Sequence, residues 1–438
     1  QGLEAAAGGG WKAGTARARI TPWKSMWLAG CRKRDRTSDG TLHHLWVKVL
    51  ALEDGSGQRV VLVTSDTLGF PRRMVESACA AIGKASGIER HRILFSASGT
   101  RSGPLIRDIL PDHHVLEPNQ LDFIEEYSRA LERVMVAMAL KALSALEPCT
   151  IWTGEGATAL GPGQGAGVAR SARVFPVPVL VVRGMDEGIR AIAFAFPWPN
   201  TVLDGYVWSG DYSSYAQLQL EASYPGSQAM FSSGCGADLD TPHPLAAGAP
   251  EGGRSESPAV TVKRYGDTLA VAVDSVIRGP MRSVAPRLRT AMEIVPLPFE
   301  RSPTDDELHA AVSEGGVRGR WGSRLLREIS EGKPLAVEHP YPVQAWRIGS
   351  DQIWVAIAGD VPPELAAALR VKHGAKTWVT SLANDIVGPM PWRRGRESAA
   401  ARGEILHESG LPAEQWSRDV EDRILSAVDR VVRRARAP

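Results

Sequence analysis

Hydrophobic residues follow two periods along this chain, and the two alternate from one segment to the next. The first ordered stretch is expected at 11–20. Runs with strand character, most of them rich in Val, Ile, Leu and Phe, occupy 45–52, 60–63, 93–96, 177–182, 189–196, 230–233, 343–348, 353–357 and 377–381. Runs with apolar residues three and four positions apart occupy 72–87, 120–146, 212–224, 260–278, 304–314 and 363–373. This alternation predicts an α/β fold with a mixed central β-sheet, flanking helices and functional loops at the strand ends.

Two stretches interrupt this pattern. Residues 154–167 (GEGATALGPGQGAG) are glycine-rich but lack the Gly-Lys-Ser/Thr ending of a phosphate-binding loop, so we expect a mobile flap there and no nucleotide cradle. The pattern also weakens from 284 onward, which predicts a small α+β insertion at about 284–340. We find neither an internal repeat nor a clear linker. The sequence therefore predicts a flexible start at 1–10 and a single domain over 11–438.

Composition narrows the class of protein. The 438 residues are 43% hydrophobic and 23% charged, which is typical of a globular protein with a large core. The net charge is only +2, from 51 basic and 49 acidic residues, which argues against nucleic acid as a partner. The one basic run, at 430–436, ends an amphipathic segment and is expected to be the solvated face of a helix.

The compartment and the partners follow from smaller signals. The four cysteines are scattered and fit neither a zinc knuckle nor a dense disulfide framework. No apolar stretch approaches the roughly 20 residues of a transmembrane helix. Because the sequence opens on the polar run QGLEAAAGGG, we expect a signal peptide to have been removed and the protein to be secreted or periplasmic. We expect a small-molecule or oligosaccharide substrate, and self-association is left open.

Seven segments together resemble the catalytic domain of the neutral/alkaline non-lysosomal ceramidases, in the short form found in bacteria. They are ARARITP at 16–22, VVLVTSDTLGFP at 60–71, ILFSASGTRSGP at 93–104, NTVLDGYVWSGDYSSYAQ at 200–217, MFSSGCGADLDTP at 230–242, YPVQAWRIGSDQIWVAIAGD at 341–360 and TWVTSLANDIVGPMP at 377–391. Their order and spacing cover most of residues 11–400. The resemblance implies the ceramidase catalytic fold and a hydrolase.

The same resemblance implies a zinc site that this sequence has lost. Family members hold one zinc through two histidines, a glutamate and a tyrosine. In the loop that carries the first histidine this chain has Gly99 and Arg101, and Pro199 or Trp198 stands near the second histidine position. Asp360 holds the place of the glutamate and Pro389 that of the tyrosine. One carboxylate cannot replace three protein ligands, so we expect no zinc and no other cofactor, although Asp66 or Asp238 could hold magnesium or calcium.

Without zinc, another group must activate water. Several aspartates follow predicted strands in loops that the resemblance brings to one face, and two carboxylates at a suitable separation can act as general acid and base on a glycosidic bond. Any of them could instead cap a helix or fix a turn. The candidate catalytic residues are Asp360, Asp66, Asp238, Asp385 and Asp204.

Tryptophan and arginine point to the substrate. The chain has 13 Trp against 7 Tyr and 8 Phe, and several of these rings fall in the same loops. Flat rings suit sugar faces, and guanidinium groups suit hydroxyls or an anionic group. The candidate substrate-binding residues are Arg101, Ser102, Arg32, Arg34, Trp27, Trp198, Tyr206 and Trp208.

Three functions remain compatible with the sequence. The favoured one is a metal-independent hydrolase that acts on a glycoside or other carbohydrate through paired carboxylates. An N-acyl amidohydrolase of the ceramidase type with a non-standard site is the second. The third is a non-catalytic relative that binds glycans or lipids. The loops expected to surround the site are rich in Trp and Arg, which favours the carbohydrate hydrolase. A ceramide substrate would need long apolar grooves.

Overall fold

The computed structural model describes residues 9–30, 34–160, 174–237, 239, 257–388, 390–391 and 406–437. The strands are β1 (Trp11–Arg19), β2 (Gly40–Thr41), β3 (Trp46–Glu53), β4 (Arg59–Ser65), β5 (Ile93–Ala97), β6 (Glu147–Thr158), β7 (Phe175–Gly184), β8 (Ile189–Phe196), β9 (Val207–Trp208), β10 (Gln228–Ser233), β11 (Arg282–Ser283), β12 (Leu288–Pro298), β13 (Glu338–Ile348), β14 (Gln352–Ile357) and β15 (Trp378–Thr380). The helices are α1 (Arg72–Ser86), α2 (Pro118–Ser144), α3 (Asp211–Ser223), α4 (Pro258–Arg278), α5 (Asp305–Glu314), α6 (Gly316–Ser330), α7 (Pro363–His373) and α8 (Val420–Arg436).

Two sheets form the centre of the described part of the chain. The large sheet has the strand order β10-β8-β7-β6-β1-β3-β4-β5, with β11 paired to β6, and the small sheet has the order β12-β13-β14-β15. Within these two sheets, pairing is antiparallel except for β4 with β5, β10 with β8 and β14 with β15. Strands β2 and β9 form a separate parallel pair. The prediction of a mixed central sheet in an α/β fold is therefore confirmed.

The layers follow from which residues each strand faces. Alternate residues of the large sheet pack against α1 and α2 at one end and against α3 and α4 at the other. The residues on the other face of the large sheet pack against Trp346, Trp354 and Trp378 of the small sheet. The far side of the small sheet is covered by α7 and α8. The result is a helix, sheet, sheet, helix stack with most of the apolar area buried in three interfaces.

The two ends of the large sheet meet along a polar seam. Strand β10 at one end contacts β4 and β5 at the other. Across this seam the Lys48 ammonium donates to Ala229 O (2.8 Å), and the Gln228 amide donates to Val49 O (2.9 Å). Hydrogen bonds from side chains therefore take the place of backbone-to-backbone hydrogen bonds where the two edges of the large sheet meet.

The expectation of a mobile flap over 154–167 is wrong for its first part. Residues through Thr158 continue strand β6 and pair with β7, whereas 161–167 lie outside the described residues. The glycines serve helix packing: a Cβ on Gly154 or Gly156 would come within 2.6 or 2.7 Å of Val276 on α4. Glycine here permits close approach of a helix to a strand.

The segment 284–340 contributes more regular structure than its pattern predicts. Its first part, β12, pairs along its whole length with β13 and so belongs to the small sheet. Its second part is the helix pair α5 and α6, which buries Leu308, Trp321 and Leu325. The weak pattern has a physical cause, because Gly319 and Gly322 of α6 lie against α5 where apolar side chains would otherwise mark the face.

The C-terminal basic run is helical as predicted. Helix α8 packs its apolar face on the small sheet, while Arg430 and Arg434 donate to the Glu293 carboxylate of β12. Among the described residues, no helix combines the length and apolarity needed to cross a membrane. The described cysteines, Cys79, Cys149 and Cys235, are buried and free.

Candidate functional site

Loops from both sheets are joined by hydrogen bonds at one end of the molecule. Ala97 at the end of β5 donates to Leu382 O (3.2 Å), and Leu382 donates to Gly359 O (2.9 Å). Ser381 donates to Ser233 O (3.0 Å) at the end of β10. The Arg101 N–H donates to Asn200 O (3.2 Å) in the loop after β8. The loops after β5, β8, β10, β14 and β15 therefore form one cluster, which we call the loop cluster, in the place where the sequence predicts the site.

Arg101 lies at the surface of the loop cluster with its backbone fixed. Its N–H donates to Asn200 O (3.2 Å), and the Asn200 side chain donates to Ser98 O (2.6 Å). The Arg101 side chain is exposed, with its stem beside Gly30. Among the described residues, no carboxylate lies within ion-pair distance of its guanidinium. The group is thus presented to solvent on a rigid base.

Arg34 differs from Arg101 although both were predicted to bind substrate. Arg34 is only 4% exposed, and its guanidinium donates to Ala29 O, Gly205 O, Arg101 O and Ser102 Oγ. Ser102 is equally buried, and its hydroxyl donates to Leu203 O (3.4 Å). Arg34 and Ser102 thus connect three loops through hydrogen bonds. Arg34 positions the backbone that carries Arg101.

Two of the candidate acids are buried and already bound. Asp66 is 4% exposed, accepts the Trp46 N–H (2.9 Å), and has a pKa that burial raises and nearby Lys48 lowers. Asp385 is also 4% exposed, and it accepts the Arg72 N–H at the start of α1 (3.0 Å) and pairs with His339 (2.7 Å). Both carboxylates fix the backbone around the loop cluster.

The other two described acids are more accessible. Asp360 is half-buried at the end of β14, and its backbone is fixed by hydrogen bonds with Gly388 and Met390. Burial raises the pKa of the Cys235 thiol, and the nearby Asp360 carboxylate raises it further. Asp204 is half-buried in the loop after β8. Asp238 lies outside the described residues, as does Arg32.

The candidate aromatic residues are mostly buried. Trp27, Trp198 and Trp208 are each less than 10% exposed, and Trp27 packs against His114 at a tilt, with 4.5 Å between ring centroids. Tyr206 is half-buried, donates to Asp35 Oδ1 (2.7 Å), and lies under the Arg36 guanidinium. Of the four rings, Tyr206 is the one with a substantial part open to a ligand.

The start of α3 holds a polar group whose role was not predicted from the sequence. Asp211 is fully buried with φ of 61°, and burial raises its pKa to about 6 although it accepts the N–H groups of Leu203 and Tyr212. His43 accepts the Gly210 N–H through Nε2 (2.9 Å), and burial together with His44 lowers its pKa to about 4. Gly210 is 167 residues away from His43 in the sequence, so no local pattern predicts this contact.

Among the described residues of the loop cluster, positions 99, 101 and 199 carry no side chain that ordinarily ligates zinc. Glycine and arginine at 99 and 101 supply no ligand, and Pro199 has no donor side chain. Pro389 lies outside the described residues. Across the part of the chain that the structure describes, no group of three or more His, Cys, Asp or Glu side chains is placed to hold a metal ion. A catalytic zinc needs three such ligands and an open position.

Comparison with known proteins places the fold. The structure is similar to a neutral ceramidase from Pseudomonas aeruginosa, with a TM-score of 0.72 and 16% sequence identity over 98% of this chain and 75% of that one. It is also similar to a ceramidase complexed with C2, with a TM-score of 0.70 and 16% identity over 98% of this chain and 76% of that one. No family model and no curated protein matches the sequence. The chain therefore has the neutral ceramidase-like fold.

Proposed function

We propose that this protein is a metal-independent hydrolase that acts on a carbohydrate carrying an acidic group. Arg101 binds the acidic group, Asp360 is one member of the acid–base pair, and Asp204 is the second. The observation that carries the proposal is the exposed Arg101 guanidinium on a rigid loop, beside the loops that hold two half-exposed carboxylates.

The choice within the five candidate acids rests on accessibility. A general acid or base must reach the substrate within hydrogen-bond distance. Asp66 and Asp385 are almost fully buried and bound to backbone N–H groups, whereas Asp360 and Asp204 are half-exposed. The proposed pair would protonate the leaving oxygen with one carboxylic acid and activate water or attack the sugar with the other carboxylate.

Activity should disappear when either acid of the pair is neutralised. We expect Asp360→Asn or Asp204→Asn to lower kcat by about 10²–10⁴-fold, the usual contribution of general acid–base catalysis, without loss of fold. The assay is a panel of neutral and acidic nitrophenyl glycosides, plant and bacterial glycans and a fluorescent ceramide. Asp122→Asn, an exposed carboxylate on α2, is the matched control. Wild-type rates in both pair variants would overturn the pair.

Arg101→Met should abolish substrate binding and leave stability nearly unchanged. The exposed guanidinium has no described carboxylate within ion-pair distance and acts on the buried Asp211 carboxylate only from farther away, where it lowers the pKa of Asp211. It therefore contributes little to folding, but it can form paired hydrogen bonds to a substrate carboxylate. Thermal unfolding and KM for acidic against neutral substrates measure the two effects. Arg73→Met, an exposed arginine on α1, is the control. If Arg101 instead balanced the half-buried Asp360 carboxylate, its loss would leave that charge unpaired and lower stability, and adding Asp360→Asn would restore stability.

We propose further that no zinc is bound at the position used by the ceramidases. The donor chemistry of Gly99, Arg101 and Pro199 supports this. Metal analysis of protein purified without a histidine tag should find far less than one zinc per chain, and EDTA should leave activity unchanged. Stoichiometric zinc removed together with activity would contradict the proposal.

An N-acyl amidohydrolase is the second candidate, and the structural likeness to two ceramidases favours it. The substrate panel separates the two functions. Turnover of the fluorescent ceramide with no activity on any glycan would reverse their order.

A further inference from the structure

Four arginines lie together at one end of the small sheet. Arg289 of β12 is directly opposite Arg347 of β13 in the antiparallel ladder. Arg347 also pairs with the second residue of β14, whereas Asp360 follows the other end of that strand. These two arginines, with Arg287 and Arg436, form what we call the arginine cluster. It lies at the opposite end of β14 from the loop cluster.

The side chains of the arginine cluster share the face of the small sheet that α8 covers. Leu288 packs against the large sheet, so Arg287 and Arg289 on either side of it lie on the opposite face. The Arg347 guanidinium lies on this face as well, because it donates to Arg436 O at the end of α8 (3.0 Å). Opposite residues in a ladder have Cβ atoms about 4.5–5.5 Å apart, and diagonal neighbours are roughly 7–8 Å apart. Several guanidinium groups can therefore reach one bound anion.

No described carboxylate lies within ion-pair distance of these four guanidinium groups. Three carboxylates in the surrounding elements, Glu293, Asp351 and Asp429, pair with other cations instead. Burial lowers the pKa of Arg347, and the positive charges of the other three arginines of the cluster lower it further. Like charges that face each other across a ladder destabilise a sheet. A bound anion would remove this repulsion.

The arginine cluster is open to solvent and keeps unused donors. Arg287, Arg289 and Arg436 are exposed, and Arg347 is half-buried. Arg289 and Arg436 each donate to a backbone carbonyl, as Arg347 does. A guanidinium has five N–H donors, so these hydrogen bonds leave donors for a ligand. The planar guanidinium fork matches the oxygens of phosphate and similar oxyanions, and it binds them through two parallel hydrogen bonds.

We propose that the arginine cluster binds the phosphate or sulfate group of an anionic ligand. Arg289 and Arg347 donate paired hydrogen bonds to its oxygens, and Arg287 and Arg436 contribute positive charge. The site is distinct from the one proposed for hydrolysis and does not depend on it.

Titration calorimetry with inorganic pyrophosphate, at low salt and near neutral pH, tests the proposal. We expect one pyrophosphate to bind per wild-type chain, with an affinity that falls as salt is added. Arg289→Gln and Arg347→Gln each remove a charged donor and should weaken binding by about tenfold or more. Arg19→Gln removes the same charge from an exposed position at the end of β1 and should leave binding unchanged.

Thermal unfolding gives a second readout that does not depend on the half-buried Arg347. Pyrophosphate should raise the melting temperature of the wild type and of Arg19→Gln, because a ligand that binds the folded state stabilises it. This rise should be largely lost in Arg289→Gln, whose exposed side chain is not needed for folding.

Two further probes separate the sources of the anion. Tighter binding of 4-nitrophenyl phosphate would identify a phosphorylated ligand, and tighter binding of 4-nitrophenyl sulfate would identify a sulfated one. If none of the three anions binds saturably, or if Arg289→Gln binds them as well as Arg19→Gln does, the cluster is only a solvated basic surface and the proposal is overturned.

Discussion

Lys48→Met should lower the free energy of unfolding by about 3 kcal/mol. Lys48 lies in the seam of the large sheet, and its side chain is 5% exposed. Its ammonium donates to Glu221 Oε1 (2.7 Å), Ala229 O (2.8 Å) and Gln217 Oε1 (3.1 Å). Burial lowers the pKa of Lys48, and the Glu221 carboxylate opposes this effect. Removing the cation leaves a mostly buried carboxylate and an unpaired carbonyl.

The expected loss of stability depends on which hydrogen-bond donors Glu221 retains after Lys48 is replaced. Breaking a buried ion pair costs about 3–5 kcal/mol, and Arg17, which also donates to Glu221 (2.9 Å), places this change at the lower end. Urea unfolding followed by tryptophan fluorescence measures it. Lys12→Met, which breaks a surface pair with Glu53, is the control and should cost less than about 1 kcal/mol. Equal losses in the two variants would show that the ion pair in the seam contributes no more to stability than a surface pair.

The stability of Asp211→Asn and His43→Gln should depend on pH in opposite directions. Asp211 has a folded pKa of about 6, above its ordinary value of 3.8, so its contribution to stability is present below about pH 4 and lost as pH rises through 6. His43 has a folded pKa of about 4, below its ordinary 6.5, so its contribution is present above pH 6.5 and lost as pH falls through 4.

Each contribution amounts to roughly 3 kcal/mol, because one pKa unit corresponds to about 1.4 kcal/mol. In the wild type the two largely cancel between pH 4 and 6.5. Relative to wild type, Asp211→Asn should gain about 3 kcal/mol as pH rises across that window, and His43→Gln should lose about 3 kcal/mol. Asparagine tolerates the left-handed backbone at 211, and glutamine keeps an acceptor for the Gly210 N–H.

Urea unfolding at half-unit steps from pH 4 to 7.5 measures these differences. Asp122→Asn and His309→Gln, both exposed, provide the baseline. The double variant Asp211→Asn with His43→Gln should follow the wild-type profile. Differences from wild type that stay constant with pH in both single variants would mean that neither group titrates as the structure indicates.

The sequence by itself determined the elements whose signals are local. Helix α7 begins and ends at the residues that its pattern predicts, 363–373, and α1 ends at Gly87 in the left-handed conformation that glycine favours. The order of strands and loops, together with family-like segments, was enough to predict the fold and the end of the molecule where the loops meet. Periodicity and glycine positions act over a few residues and are legible without tertiary contacts.

The sequence did not reveal elements whose buried face is made of glycine or depends on a distant partner. Helix α6 was missed because Gly322 lies against α5, where a Cβ would meet Leu308 O at 2.8 Å. Strand β12 was missed because apolar and polar residues do not alternate along it: Ile294 and Pro296 are exposed on either side of buried Val295. Its pairing with β13 makes it a strand. Propensity was weak in both, and tertiary packing decided the structure.

Only the tertiary structure decided which polar residues of the loops are open to a ligand. Arg34 and Arg101 are the same residue type in neighbouring polar loops, yet one is buried against four oxygen acceptors and the other is exposed. Asp385 is bound by the N–H of Arg72, 313 residues away in sequence, and by His339. Whether a carboxylate ties down backbone or faces solvent depends on which distant donors the fold brings to it, and no local pattern encodes those donors.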